Sequence, residues 1–189
     1  MTTTKQIAAV ASIADVRNSS KPRRMARTQP APAAVTETFR GDREAAVRLL
    51  NEALATELVC VLRYRRHHFM ARGLGATRSA EEFLLHADEE LAHADLIAER
   101  IVQLGGEPDF APGPLRDRSR TDGVPARTIV AMLRENLAAA RIAIDSYRGL
   151  IESLGDSDRT TRRMLEGILG VEEAHADELL ELLEGGDAK

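Results

Sequence analysis

Apolar residues recur every three or four positions through most of residues 42–184, and the pattern breaks at glycines. That period belongs to helices that bury one stripe each. Four long helices are predicted. The first runs from Asp42 to Arg72 with Gly73 as its stop, and turns Val47, Leu50, Leu54, Glu57, Val61, Tyr64 and His68 inward. The second opens at a capping box, Ser79 with Glu82, and runs to Leu104 before Gly105-Gly106. Its stripe is Phe83, Glu90, His93, Ile97, Ile101 and Leu104. The third starts with Pro125 as its first helical residue, where a missing N–H does no harm, and stops at Gly155. Its stripe is Ile129, Leu133, Leu137, Ala140, Ile144, Tyr147 and Ile151. The fourth runs from Asp158 to Glu184, with Leu165, Ile168, Glu172, His175, Leu179 and Leu182 inward.

Connection lengths set the topology. Helices one and two, and three and four, are joined by a few residues, so each pair is an antiparallel hairpin. The linker from Gly105 to Val124 carries Pro108, Pro112 and Pro114 and is long enough to travel the length of a bundle. The predicted fold is all-α: an antiparallel, ferritin-like four-helix bundle of two hairpins and one long crossover, covering residues 41–189. An internal repeat supports it. Glu57 is followed seven and eight residues later by Tyr64-Arg65, and then by Glu90 and His93. Ala140 is followed at the same offsets by Tyr147-Arg148, and then by Glu172 and His175. The two halves read as related hairpins about a pseudo-twofold axis.

Composition agrees with packed helices. Of 189 residues 43% are hydrophobic but only 3% aromatic, with no tryptophan. The single cysteine, Cys60, rules out an internal disulfide and a cysteine-based metal site, and it reads as a small packing residue. A reducing compartment follows, and a cytoplasmic location is expected. No apolar run is long enough for a membrane span, so no membrane partner is expected. Charge divides the chain. Residues 1–35 hold six basic residues against Asp15, a net of +5, while the remainder is acidic at −9. Residues 1–40, with "KPRRMARTQPAPAA" at their centre, read as a basic, low-complexity, mostly disordered tail, with a weak amphipathic helix over Ile7–Val16. Its basic, acid-poor character also suits an organelle transit peptide.

Two pairs carry the chemistry: Glu90 with His93, and Glu172 with His175. Residues three apart share one helix face. A glutamate there bridges two metals while the histidine binds one, and lone glutamates on the other helices complete a dimetal site. Mixed carboxylate and imidazole donors suit Fe²⁺ or Mn²⁺, and Zn²⁺ also binds such sets. The competing reading is a set of solvated surface residues. Two pairs on inward stripes, with Glu57 a helix away, favour the metal, because a buried carboxylate costs several kcal/mol without a counter-charge.

The stretch "LLNEALATELVCVLRYRRHHFMARG" resembles the first helix of bacterioferritins, through its Leu-Asn-x-x-Leu-x-x-Glu pattern. "HADEELAHADLIAERIVQLGGEP" resembles their second helix and "GVEEAHADELLELLE" their fourth. The resemblance covers residues 45–184. It implies a homo-oligomer, a dimer or a shell, whose subunits bind two irons, oxidise Fe²⁺ with O₂ or H₂O₂ as a ferroxidase-type oxidoreductase, and store the product. Carried over by position, Glu57 and His93 are terminal ligands of one metal, Glu90 and Glu172 bridge, and His175 holds the second. Tyr64 matches a tyrosine near the family's site, an electron donor or supporting partner; the plainer reading is a core tyrosine.

Three departures change the expectation. Ala140 stands where both the repeat and the family place a glutamate, so the second iron site is expected to be weak or empty and the oxidase impaired. Leu91 stands where haem-binding members place a methionine, so haem is not expected. Only 14 residues follow His175, too few for the fifth helix of 24-subunit bacterioferritins. His67 and His68 read as either site or structural residues, and His86 as a surface residue. A second function remains open: a DNA-protecting or architectural mini-ferritin-like protein that binds nucleic acid through residues 1–35.

Overall fold

A computed structural model describes residues 35, 39–120 and 126–185. The tail readings, including the Ile7–Val16 helix, fall outside the described residues except at Val35, Phe39 and Arg40, and Pro125 also lies outside them. Among the described residues there are four long helices, one short one and no strand: α1 Arg43–Gly73, α2 Thr77–Gln103, α3 Leu115–Arg118, α4 Ile129–Leu154 and α5 Arg159–Glu184. No helix among them is long and apolar enough to cross a membrane.

Helix ends follow their capping chemistry. Asp42 accepts the Ala45 N–H at 3.0 Å and starts α1. Gly73 stays helical; the reversal falls at Gly75, whose φ of +78° suits a residue without Cβ. The capping box at Ser79 does not form. α2 already starts at Thr77, after Ala76, and Ser79 lies buried inside the first turns. The α1–α2 turn is closed instead by backbone bonds, from the Gly75 N–H to the Arg72 carbonyl and from the Ala76 N–H to the Ala71 carbonyl, both at 3.1 Å. α4 begins four residues after Pro125, where Thr128 accepts the Ala131 N–H at 3.3 Å. A proline cannot give that cap bond; a threonine hydroxyl can.

The helices pair as two antiparallel hairpins, α1 with α2 and α4 with α5. Arg100 of α2 meets Asp158 beside the start of α5, while His86 meets Glu178 near its end, so α2 and α5 also run antiparallel. Two apolar clusters fill the bundle. One holds Tyr64, Phe83, Leu133, Leu137 and Leu179. The other holds Leu50, Leu54, Ile97, Ile101, Leu165 and Tyr147. The polar residues of the inward stripes lie between them.

The crossover is tied down along α1, and its short helix α3 packs there. The Asn51 side chain donates to the Glu107 carbonyl at 3.1 Å and accepts the Asp109 N–H at 2.8 Å. Arg120 donates its N–H to Thr56 Oγ1 at 3.1 Å and pairs with Glu52 at 2.7 Å. Where the crossover leaves α2, a Cβ on Gly106 would lie 2.5 Å from a Val47 methyl, so only glycine lets the chain pass.

One buried ion pair locks the two hairpins together. Arg100 Nη2 lies 3.0 and 3.1 Å from the two Asp158 oxygens, and its Nε donates to Thr161 Oγ1 at 2.7 Å. Asp158 also caps α5 through the Thr161 N–H at 3.1 Å. Burial raises the Asp158 carboxyl's pKa, but the Thr161 and Arg100 hydrogen bonds and the Arg100 charge outweigh it, leaving the pKa below 3.8. Asp158→Asn strands a buried guanidinium, so a loss of about 3–5 kcal/mol in denaturant unfolding at neutral pH is expected. A lowered folded pKa means this contribution is present above 3.8 and fades as pH falls through the depressed folded value. The gap between wild type and variant should therefore narrow in acid.

Candidate metal centre

Each long helix except α4 sends acidic or imidazole groups into the layer between the apolar clusters. Glu57 comes from α1, Glu90 and His93 from α2, and Glu172 and His175 from α5. All five are buried, with Glu57 and Glu172 each 1% exposed. The i, i+3 spacing puts each glutamate beside its own histidine.

His93 Nδ1 is surrounded: Glu57 Oε2 at 3.3 Å, Glu172 Oε1 at 3.4 Å and Glu90 Oε2 at 3.5 Å. Donor atoms of these four residues all lie within 4.8 Å of one another. The far oxygens of the same two glutamates face His175 Nδ1, at 3.9 Å from Glu90 Oε1 and 4.0 Å from Glu172 Oε2. Two metal positions are thus outlined, sharing Glu90 and Glu172. The first could be held by Glu57, Glu90, His93 and Glu172. A second could draw on His175 and the shared carboxylates; on α4 the buried Ala140 occupies the position that the repeat pairs with Glu57.

The ligand-competent atoms have no other occupation. Glu57 Oε2, Glu90 Oε2, Glu172 Oε1, His93 Nδ1 and His175 Nδ1 are buried without hydrogen-bond partners. Buried polar atoms are normally paired. The residues fit a divalent cation, because these atoms point at one another and the chemistry of the set is that of a metal shell.

Electrostatics shows what replaces a cation. Burial and the neighbouring Glu57 and Glu172 push Glu90 well above the usual carboxylate range. Burial pulls His93 down, but the close carboxylates of Glu172 and Glu57 outweigh it and raise the ring to about 9. Burial acts upward on Glu57, yet the adjacent His93 and Glu90 groups and the Tyr147 hydroxyl leave it lowered. Protons on His93 and Glu90 therefore compensate the cluster. His175 differs: burial, then His86, lowers it, so its ring is neutral. Its Nε2 lies 2.8 Å from Glu89 Oε2. Donating there leaves the Nδ1 lone pair facing inward, the usual way a carboxylate orients a metal-binding imidazole.

Tyr64 does not touch the carboxylates. Its ring packs edge-on against His86 at 5.2 Å and lies 6.4 Å from His175. The tyrosine on the cluster is Tyr147, which donates to Glu57 Oε1. The repeat contained that signal, for Tyr147 is the counterpart of Tyr64, but the bond runs between halves. By the pseudo-twofold, Tyr64 would serve residue 140, which has no carboxylate; both belong to one apolar cluster. His86 is not a surface residue: it is fully buried and stacks on His175 at 4.0 Å. His67 and His68 are structural, bound to Asn136 Oδ1 at 3.0 Å and the Ala80 carbonyl at 2.7 Å. Asn136 is thereby committed and cannot stand in for a glutamate at 140. Burial raises the Cys60 thiol well above 9, which keeps it protonated. A groove of about 640 Å³, lined by Glu52, Arg120, Asp145 and Ser146 among others, reaches Glu57 and Tyr147 between α1 and α4.

The model of the ferritin-like domain matches residues 47–187. The chain belongs to the ferritin-like family. It is 31% identical over 135 residues to a bacterioferritin of Mycobacterium leprae, covering 70% of this chain and 80% of that one. A nutrient stress-induced DNA-binding protein of Synechococcus is 37% identical over 134 residues, covering 64% of this chain and 70% of that one. Among solved structures, a dodecameric thioferritin, the bacterioferritin-related protein of Bacteroides fragilis, superposes with a TM-score of 0.73 at 30% identity, over 77% of this chain and 88% of that one. The Desulfovibrio desulfuricans bacterioferritin, described with a diiron site, gives 0.68 at 26% identity, over 77% and 82%.

A cation that binds only the folded state stabilises it by about 2.7 kcal/mol at a hundredfold excess over Kd. Adding Zn²⁺ or Co²⁺ to chelator-stripped protein should therefore raise the melting temperature by several degrees. Glu90→Gln/Glu172→Gln, which keeps side-chain shape, should lose most of that rise while circular dichroism shows the helices retained.

Proposed function

We propose that the bundle, residues 41–189, binds Fe²⁺ between Glu57, Glu90, His93, Glu172 and His175 and oxidises it, with O₂ or H₂O₂, for storage or detoxification. The observation that carries this reading is the convergence of five buried, unpartnered ligand atoms between two apolar layers. The bacterioferritin relatives support iron as the cation. Iron is the substrate, and ferrous ions held at the cluster supply electrons to the oxidant. The residues do the rest. Glu57 and His93 hold the first ion, Glu90 and Glu172 bridge, and Tyr147 fixes the Glu57 carboxylate. Glu89 orients His175 toward the second ion, and Tyr64 supports that side. The groove beside Glu57 gives ions and oxidant a path from solvent. By analogy with the dodecameric Bacteroides protein, the chain assembles as a shell of identical subunits.

The two positions are unequal because residue 140 supplies no carboxylate. Anaerobic Fe²⁺ titration should find one tight equivalent per chain and a second weaker by more than about tenfold. Ala140→Glu should strengthen the second and speed Fe²⁺ oxidation in stopped flow. Two equal tight sites in the wild-type chain would refute the asymmetry.

The Synechococcus relative favours a second role, nucleic-acid binding through the six cations of residues 1–35. Phosphate binding of this kind weakens steeply with salt. The full chain should retard duplex DNA in a gel at low salt and release it at high salt, and deleting residues 1–35 should abolish the shift. No shift at low salt removes this role.

A further inference from the structure

A second polar cluster lies on the seam between α2 and α5, outside the buried centre. Its hub is the fully buried His86. His86 Nε2 lies 2.9 Å from Glu178 Oε2 and 3.4 Å from Glu82 Oε1. Glu82 sits one turn before His86 on α2, while Glu178 reaches in from α5. Donor atoms of all three lie within 4.8 Å of one another. The Glu82 and Glu178 side chains are 26% and 46% exposed, so the cluster opens to solvent on one side and is closed by His86 on the other.

As hydrogen bonding this arrangement is poorly matched. A neutral imidazole nitrogen offers one proton or one lone pair, so Nε2 serves only one of the two carboxylates. The ring's Nδ1 has no partner either. Burial and the nearby Glu178 push the Glu82 carboxyl up, with Arg78 offsetting part of the effect. Two anions converging on one nitrogen lone pair suit a cation better than a proton.

We propose that Glu82, His86 and Glu178 form a further divalent transition-metal site, open to solvent and separate from the buried centre. One imidazole nitrogen and two carboxylate oxygens suit Fe²⁺, Mn²⁺ or Zn²⁺, with water in the remaining positions. Its position gives it a use. The His86 ring stacks on His175 at 4.0 Å, and His86 also shares a three-donor group with Glu89 and His175. A cation held there waits one imidazole from the side of the buried centre that lacks a carboxylate at residue 140; this use, unlike the site itself, rests on the function proposed above.

Co²⁺ titration of the full chain, followed by calorimetry and visible absorption, tests the site with three proteins: wild type, Glu82→Gln/Glu178→Gln, and Glu57→Gln/Glu172→Gln. Glutamine keeps side-chain shape, and thermal melts check folding. The outer variant should lose one class of Co²⁺ sites or weaken it by more than about tenfold, while the inner variant keeps it. An outer variant that binds Co²⁺ with wild-type number and affinity overturns the proposal. Binding unchanged in the inner variant instead counts against the buried centre and leaves the outer site standing. Crystals soaked in Co²⁺ should show an anomalous peak beside His86 Nε2 that His86→Gln removes. Cobalt confined to the buried centre overturns the proposal.

Discussion

Carboxylates from separate helices meet in a dry interior, and the rest of the molecule is arranged around that cost. Desolvating one such anion costs several kcal/mol, and mutual repulsion adds to it. Helices suit the task because their backbone polar groups are already paired, so the interior has only side chains to satisfy. The apolar clusters on either side hold the four rods at fixed spacing. Without a cation, protons on His93 and Glu90 supply the compensation. A metal entering the cluster must displace them, so metal binding and proton release are linked in this fold.

Much of this was legible in the residues because helices impose a fixed period. Every member of the stripe Phe83, Glu90, His93, Ile97, Ile101 and Leu104 is buried, polar and apolar alike. The Glu-x-x-His spacing put both residues of each pair on one buried face for the same reason: it is a property of one helix. What escaped depended on contacts between elements. Ser79 has the composition of a cap, but tertiary packing carries α2 past it. Nothing in the local pattern around Leu115 marks α3, which packs on α1. His86 sits one turn before Glu90, and only the position of α5 shows that its nitrogen faces Glu178. Tyr147 escaped notice because the repeat gives equivalence, not pairing. Tyr147 reaches across to Glu57, a relation between α4 and α1 that no spacing within either helix encodes.

The Asn in the first motif shows how a local pattern can carry a distant role. Asn51 makes no contact with the cluster. It holds the outgoing crossover through Glu107 and Asp109, one side chain satisfying both a donor and an acceptor of an irregular backbone. Arg120 and Thr56 repeat the device farther along α1, one residue before Glu57. The helix that presents Glu57 is thus also the rail on which the crossover lies. Topology and site geometry are carried by neighbouring faces of one element.

Ala140 is the place where stability and chemistry pull apart. A glutamate there would add another buried anion next to Glu90 and Glu172, in a cluster already balanced by protons. Alanine removes that burden and joins Tyr64 and Leu137 in continuous apolar packing. Alanine at this position therefore favours the metal-free fold. The other half keeps its matching device, the Tyr147 bond to Glu57. A bundle built from two similar hairpins has in this way become asymmetric at one position. The asymmetry falls on the side where His175, Glu89, His86 and Glu178 form an unbroken polar path from the interior to solvent. The His175 side of the cluster is thus the side with additional imidazole and carboxylate groups, His86 and Glu89, just beyond it.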